Sequence, residues 1–598
     1  MDPRFCKAVA GLAPKMNEKI ARNIVVDKMQ DVESYVDRLW RNSKDSLPKD
    51  LVYHGLRRCV AREQFHYLSG GKKTKGKDSG KLTFDLAPSD VFMVMLEFRW
   101  YGAMESGDRR EPGKDYCIIR HPLLLPAVGQ GGKMRLRGAN FILSAVLADP
   151  VISYTKDMAF IMLPRDKITV KRTPYQFLSN DTPTGVDYRH YLSLPWSQIY
   201  HLTKQSKVNG DNINHTSVTT LGHYLFAKYG VGECFRRFAG VEAVTGRNLA
   251  ERDFPRDQWV IYRTMGVIPK GFSISKSGKS RSASAVRYKH PDIQIAVRRG
   301  GTERIVLGLV GAFLYLIDRY YDRFPEDYPV EEFANAPDHW RTLLGLIIFN
   351  NNNADARLLR DVNHHIDSLD LYVDEIQQKK FKQENIPCDD FYEFMAYLID
   401  NVTIEMSRVD TTTMFGKELM VLEYVMEDVR KSIFKLGFHL KTTERGKRQN
   451  NRKEMTNRDV QKALRNQVAT EAILNIQSNR DKREKVATSI QSPGDCMLFK
   501  VSTHVVLQSQ NAGGAALADE SRLVSGSIPF CASYLNLPHS EPTGRQKFSM
   551  YAPIDERGRL IVTPQIANDV AATNAGLKKD VGRFDEEIVE INDRDIID

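Results

Sequence analysis

Cysteine is scarce in this chain: seven in 598 residues, at positions 6, 59, 117, 234, 388, 496 and 531, with no C-x-x-C pair. An odd, scattered set argues against a disulfide framework and a cysteine-based zinc site, and fits a reducing compartment. Long apolar runs are also missing. The longest, Ile305 to Ile317, is too short to cross a bilayer and predicts a buried helix. The N-terminal MDPRFCKAVAGLAPKM has no apolar core of signal-peptide length. A cytoplasmic protein with no membrane partner is therefore expected. There is no G-x-S-x-G elbow, no H-E-x-x-H pair, no dinucleotide fingerprint and no internal repeat. The segment GKKTKGK (71–77) has the spacing of a phosphate-cradling loop, but Asp78 stands where a Ser or Thr hydroxyl should hold magnesium, and no apolar strand precedes it. It reads as a solvated basic loop.

What the chain does have is positive charge. Its 86 Lys and Arg against 75 Asp and Glu give a net charge of +11, with an ordinary soluble composition of 42% hydrophobic and 27% charged residues. Such a balance favours an anionic partner, of which nucleic acid is the usual one. Three basic segments, Lys72–Lys77, Lys276–Arg299 and Lys441–Lys453, read as polar loops suited either to a phosphate backbone or simply to solvent. In DVNHHIDSLDLYVDE, His364, Asp367 and Asp374 share a helical face, but neighbouring histidines point in different directions. A solvated polar face is the expectation, not a metal site. The D-x-D at Asp593 and Asp595 lies in an acidic C-terminal stretch and also reads as solvated.

Periodicity gives an α+β, multi-domain chain. Residues 1–67 read as helical and, with the basic loop that follows, form a region over 1–81. Short strands fill 82–151. Within them GGKMRLRGANFILSAVLADP (131–150) predicts a hairpin: a strand with Lys133, Arg135 and Arg137 on one face, a turn at Gly138, and a second segment over Phe141–Leu147. Strands continue to about Pro195. Residues 152–415 as a whole read as a mostly helical domain, broken by the basic stretch before Gly300. The segment 416–438 reads as a helix with Leu422, Val425, Val429, Ile433 and Leu436 in one apolar stripe. A basic loop and a helix from about Thr456 to Asn479 complete a region over 416–492. A β-rich region (493–575) and an acidic tail (576–598) follow.

Taken in order, several pieces resemble the N-terminal half of the β subunit of multisubunit RNA polymerases. HPLLLP followed by the 131–150 hairpin is similar to that family's I-P-L-M segment and G-x-F-x-x-x-G-x-E-R-x-x-V-x-Q hairpin. Gly132, Gly138 and Pro150 match, while Asn140, Phe141 and Val146 stand where the family has Glu, Arg and Gln. LGHYLFAKYGVGECFRRFAGV (221–241) resembles a later helix-and-turn segment. DTTTMFGKELMVLEYVMEDVRKSIFKL resembles D-x-D-x-x-G-x-K-R-L. There Asp410, Lys417 and Leu419 match, whereas Thr412, Phe415 and Glu418 depart. KFSMYAPIDERGRL is faintly like the family's H-x-G-R-x-C-P-x-E-T-P-E-G region, with Pro553, Asp555 and Gly558 as counterparts.

The chain stops where a full β subunit would continue, as in the split β subunits of giant-phage polymerases. The resemblance implies a protrusion-like domain interrupted by a lobe-like domain, left at about Val151 and re-entered near Phe415, then a fork-like β-rich region. It implies a non-catalytic subunit that lines the cleft for DNA and the RNA–DNA hybrid, with Gln510, Asn511, Arg522, Arg545 and Lys547 as nucleic-acid contacts. Its partners would be the β C-terminal half and β′ fragments. Mg2+ would be held by a partner subunit, with no cofactor in this chain. Two other readings stay open: a phage shell protein that self-assembles, and a stand-alone nucleic-acid-binding protein.

Overall fold

A computed structural model describes residues 32–68, 91–127, most of 133–265, 290–320, 335–349, 356–408, 418–470 with short gaps, 487–489, Ser527, Asp555 and most of 559–575. The chain forms two compact units. Unit 1 comprises Met1–Pro150 and Asp410–Asp598, and unit 2 is the continuous stretch Val151–Val409 that interrupts it in sequence.

Unit 1 begins with helix α1 (Val32–Arg41), whose Val32, Val36, Leu39 and Trp40 are buried at helical spacing. Strand β1 (Leu51–Arg58) follows, then α2 (Ala61–Leu68), β2 (Val91–Trp100) and β3 (Cys117–Pro126). The three strands form an antiparallel sheet in the order β1-β2-β3. Trp40 lies edge-on to Phe98, with ring centroids 5.2 Å apart, and stacks on Tyr53 at 5.9 Å, so α1 seals one face of this sheet. The helical expectation for 1–67 fails at β1. Buried Leu51 and Tyr53 alternate there with exposed Val52 and His54, a period of two hidden beside a helical pattern. A bulge between Tyr53 and Gly55 then shifts the register.

The expected hairpin forms as β4 (Lys133–Leu136) against β5 (Ala139–Leu143). Its second segment is divided, because β6 (Val146–Ala148) leaves the hairpin to pair with a strand more than 250 residues later.

Unit 2 starts with β7 (Ile152–Tyr154), β8 (Met158–Met162), the long β9 (Lys167–Ser179) and β10 (Tyr188–Ser197). It continues with the polar pair β11 (Thr203–Val208) and β12 (Asp211–Thr216), β13 (Thr219–Thr220) and helix α3 (Leu221–Tyr229). Strands β14 (Ala243–Arg247), β15 (Trp259–Thr264) and β16 (Ile293–Arg298) precede helices α4 (Glu303–Tyr320), α5 (Pro337–Ile348), α6 (Ala356–Leu369), α7 (Glu375–Gln383) and α8 (Phe391–Arg408). An eight-stranded sheet runs β13-β10-β9-β15-β16-β14, with β8 joining β7 to β9. The run Ile305–Ile317 is the buried helix expected of it: α4 is apolar nearly all round and packs against β9, β10, β15 and β16.

The 152–415 stretch is thus a sheet-and-helix unit and not mostly helical. Ile293, Ile295, Ala296 and Val297 are buried strand residues at the end of what reads as a basic interruption. Strands β11 and β12 carry no apolar alternation in TKQSKV and DNINHT, so periodicity cannot find them.

The chain returns to unit 1 through β17 (Glu418–Met420), which pairs antiparallel with β6. Helix α9 spans Glu427–Gln449, not 416–438. Val429, Ile433, Leu436 and Leu440 are buried along it, and it continues through most of the segment that reads as a basic loop, with Gly446 inside it. Helix α10 (Asn457–Gln467) starts at Thr456, as expected, where the Asp459 carboxylate accepts the Thr456 N–H at 2.8 Å. β18 (Ala487–Ser489) pairs with β5. Most of the expected β-rich region lies outside the described residues, and its described part includes a helix over 564–573.

Candidate nucleic-acid interface

The contacts expected at Gln510, Asn511, Arg522, Arg545 and Lys547 lie outside the described residues, as does Lys72–Lys77. The His/Asp cluster is described, and it is more buried than a solvated face. His365 lies in the core, its Nε2 3.3 Å from the Tyr224 hydroxyl, and the Asp374 carboxylate caps α7 by accepting the Gln377 N–H at 2.8 Å. Among the described residues, no group of three His, Cys, Asp or Glu could hold a metal.

The described residues place cations on the side of the β1-β2-β3 sheet where Glu97 and Arg99 alternate with buried Leu96, Phe98 and Trp100. Near α2 these cations are neutralised. Arg57 donates both terminal nitrogens to Glu63, at 2.8 and 2.9 Å, and its Nε to Glu97 at 3.2 Å. Arg120 donates to the same Glu97 oxygen at 3.0 Å. The Arg57 hydrogen bonds hold the Glu63 carboxyl down to about 2, with help from the Val60 N–H. Burial pushes the Glu97 carboxyl up, but the Arg120 and Arg57 hydrogen bonds together outweigh it and hold the group below its ordinary range.

The other end of the same face differs. Arg99 donates to His54 Nε2 at 3.2 Å. Because a guanidinium can only donate, that nitrogen carries no proton, and the imidazole in this contact is the neutral Nδ1–H form. The Arg99 guanidinium lies 4.9 Å from the Tyr116 ring centroid, and the Lys114 ammonium 5.2 Å from the same ring. Tyr101 meets Tyr116 edge-on at 5.5 Å.

The β2–β3 connection that carries Lys114 also carries exposed Arg109 and Arg110, and it is pinned to the start of α10. Asn457 accepts the Glu105 N–H at 2.9 Å and donates to the Asp108 carboxylate at 2.8 Å. Among the described residues, Arg99, Arg109, Arg110 and Lys114 have no carboxylate partner. Arg99 meets an imidazole and a ring, Lys114 the same ring and Arg110 a backbone carbonyl at 3.5 Å, while Glu111 and exposed Asp115 lie in the same connection. Sequence reading passed over this patch. Its signal is an arginine set among aromatics in EFRWY (97–101), next to RREPGKDY (109–116).

Several arginines on the surface of unit 2 are matched by acids, while exposed Arg319 lies 5.0 Å from the Tyr315 ring centroid. Arg236 pairs with Glu233, Arg247 with Asp292, Arg256 with Glu251, Arg299 with Asp181, Arg298 with Glu242 at 3.3 Å and Arg304 with Asp400 at 3.1 Å. Inside unit 2, His223 Nε2 donates to the Trp340 carbonyl at 3.0 Å, so Nδ1 accepts the Thr219 hydroxyl at 2.8 Å. Burial drives its titration down to about 3. Asp318 accepts the Tyr175 hydroxyl at 2.6 Å, and burial raises its carboxyl to about 7 despite that bond.

The described residues form an α+β chain in two units, with Arg99 and Lys114 set beside Tyr116 at one sheet of unit 1. The family model of the non-virion RNA polymerase subunit matches residues 8–524, and the chain belongs to that family. It is a subunit of an RNA polymerase, a component of a transcription enzyme, and other polymerase subunits are its partners. No curated protein matches it. Among the described residues no helix is long and apolar enough to cross a membrane.

Proposed function

We propose that this subunit is the N-terminal half of a split, β-like large subunit and that it lines the cleft for DNA and the RNA–DNA hybrid during transcription. One observation carries this reading beyond the family match. β6 and β17, separated in sequence by all of unit 2, pair with each other inside unit 1. A protrusion-like domain interrupted by a lobe-like domain requires such a closure at the points of exit and return. Unit 1 is then protrusion-like and unit 2 lobe-like, with the fork-like region after residue 493.

In this reading the chain contributes walls and positive field, not catalysts. Templated phosphodiester formation uses two Mg2+ ions to align the attacking and leaving oxygens. Those ions belong to a β′-like partner, and the triphosphate-binding residues to the β C-terminal half. Gln510, Asn511, Arg522, Arg545 and Lys547 are the proposed fork-region contacts. Arg522→Ala combined with Lys547→Ala should shorten transcripts in a reconstituted complex while leaving its assembly intact. Normal transcript length would remove these two residues from the account.

The reading as a whole is tested by affinity capture of this chain from the cells in which it is made, with mass spectrometry of the co-purifying chains. It expects a stoichiometric set that includes a chain with an aspartate-rich metal-binding loop. A homopolymer of this chain alone would favour the self-assembling shell protein instead.

A further inference from the structure

We infer that the solvent side of the α9–α10 helix pair is a sequence-independent binding surface for the phosphate backbone of duplex DNA. This deepens the polymerase reading and rests on it for the class of partner.

The first ground is net charge. The two helices and their connection, residues 427–467, hold 12 Lys and Arg against 5 Asp and Glu. That is +7 of the chain's +11, in 41 of its 598 residues. The β2–β3 connection (101–116) is pinned against the start of α10 and carries four acids to three bases; counting it in leaves +6. The acids at that end are also engaged. Asp459 pairs with Lys447 and accepts the Thr456 N–H at 2.8 Å, and Asp108 is held by Asn457. Among the described residues Glu454 is the exposed acid of the pair, whereas Lys435, Arg458, Lys462 and Arg465 are exposed and meet no carboxylate. Like charges gathered this way repel one another, and a polyanion lying across them relieves that repulsion.

The second ground is a rigid, extended shape. Arg458, Lys462 and Arg465 are spaced four and three apart, on the side of α10 opposite buried Val460, Ala463 and Leu464. The 23 residues of α9 extend about 34 Å, roughly one turn of a DNA duplex. Buried Val429, Ile433, Leu436 and Leu440 anchor α9 from the other side, and Gly437 lets it press on the Ser46 carbonyl, where a Cβ would collide. Phosphates reaching these cations thus meet a held backbone, at a reduced ordering cost.

The third ground is what the surface lacks. The large apolar side chains exposed among the described residues are Val52, Val60, Tyr188, Val244 and Ile561, none of them on α9 or α10. A protein partner would find no apolar centre to bury. The rings over 427–467 are Phe434, Phe438 and His439, and the two phenylalanines stack on each other with centroids 6.5 Å apart. That leaves little for unpaired bases to stack on, so a single strand gains nothing over a duplex, which offers its phosphates at higher charge density.

The test is fluorescence anisotropy of the full chain with a mixed-sequence DNA duplex across a salt series, beside a single strand of the same length. The fourfold variant Lys435→Gln, Arg458→Gln, Lys462→Gln, Arg465→Gln should lower the slope of log affinity against log salt by roughly 3, at about 0.9 per lost phosphate contact. The smaller variant Lys462→Gln, Arg465→Gln guards against misfolding of the first, and its slope should fall by about 1.8. Lys379→Gln with Lys382→Gln, exposed on α7 of unit 2, removes the same charge elsewhere and should leave the slope unchanged. Duplex slopes unchanged in both α10 variants would overturn the inference. So would an equal fall in the α7 variant, a loss confined to the single strand, or a loss seen with a poly-glutamate peptide and not with the duplex. The capture experiment above does not depend on these residues, so the polymerase reading can stand while this inference fails.

Discussion

Both units carry arginines paired with acids and arginines set on tyrosine rings, Arg99 in unit 1 and Arg319 in unit 2. On unit 2, Arg236, Arg247, Arg256, Arg298, Arg299 and Arg304 each face an acid, so their fields largely close within the protein. On unit 1 one sheet face shows both states. Arg57 and Arg120 converge on Glu97, while Arg99 and Lys114 have a tyrosine ring in place of a carboxylate. A phosphate that approaches a paired arginine must compete with the carboxylate already there, whereas one that approaches Arg99 meets no such competitor. Which cations are ion-paired is set by tertiary contacts and cannot be had from a count of lysines and arginines.

The same contrast extends inward, and the largest expected effects test it there. Unit 2 buries His223 as a neutral donor and acceptor in one bonded arrangement. His223→Ala should cost about 3 kcal/mol in denaturant unfolding at pH 7, from the cavity and the two partners left unpaired. Its folded value is depressed to about 3, so the unfolded chain binds the proton first as pH falls. This group's contribution should be intact above pH ~6.5 and shrink progressively towards pH 3.

Asp318 runs the other way. Its folded value is raised to about 7, so its contribution is present below pH ~4 and is lost as pH rises through about 7. Asp318→Asn keeps an acceptor for Tyr175 and should make the chain more stable at pH 8 by about 2 kcal/mol, with little change at pH 4. Thermal melts at the two pH values check it.

In unit 1, Arg57→Ala leaves Glu63 without its guanidinium and Glu97 with Arg120 alone. Stability at neutral pH should fall, and the share carried by Glu63, whose carboxyl is held down to about 2, should shrink as pH drops from ~4 towards 2, which thermal melts along that limb check. The smallest effect belongs to Arg298→Gln in unit 2. Its exposed pair with Glu242 should change stability by no more than about 0.5 kcal/mol in denaturant unfolding. A loss well above about 1 kcal/mol for Arg298→Gln would break this ranking.

Some of this was legible in the sequence, for reasons that can be named. Ile305–Ile317 could only be a buried helix, and the strands from Val91 to Ser197 announced themselves by apolar alternation and runs. Strand β16 hid behind the basic stretch that precedes it, and β11 and β12 gave no apolar period to read. The Lys441–Gln449 part of α9 read as loop because its charge was weighed above its helix-forming side chains. The patch was harder still. Arg99 is visible, but whether it is neutralised depends on His54, 45 residues earlier, and on Tyr116 and Lys114 across the β2–β3 connection. Charge compensation is set by tertiary pairing, which no local window contains.

The account is tested most directly in the assembled, transcribing polymerase. Photoreactive nucleotides placed in the unpaired strand and in the transcript would be crosslinked, and the labelled peptides of this chain mapped by mass spectrometry. The account predicts label on the peptides that carry Arg522, Arg545 and Lys547, the proposed fork-region contacts. A transcribing complex in which no peptide of this chain is labelled would contradict it.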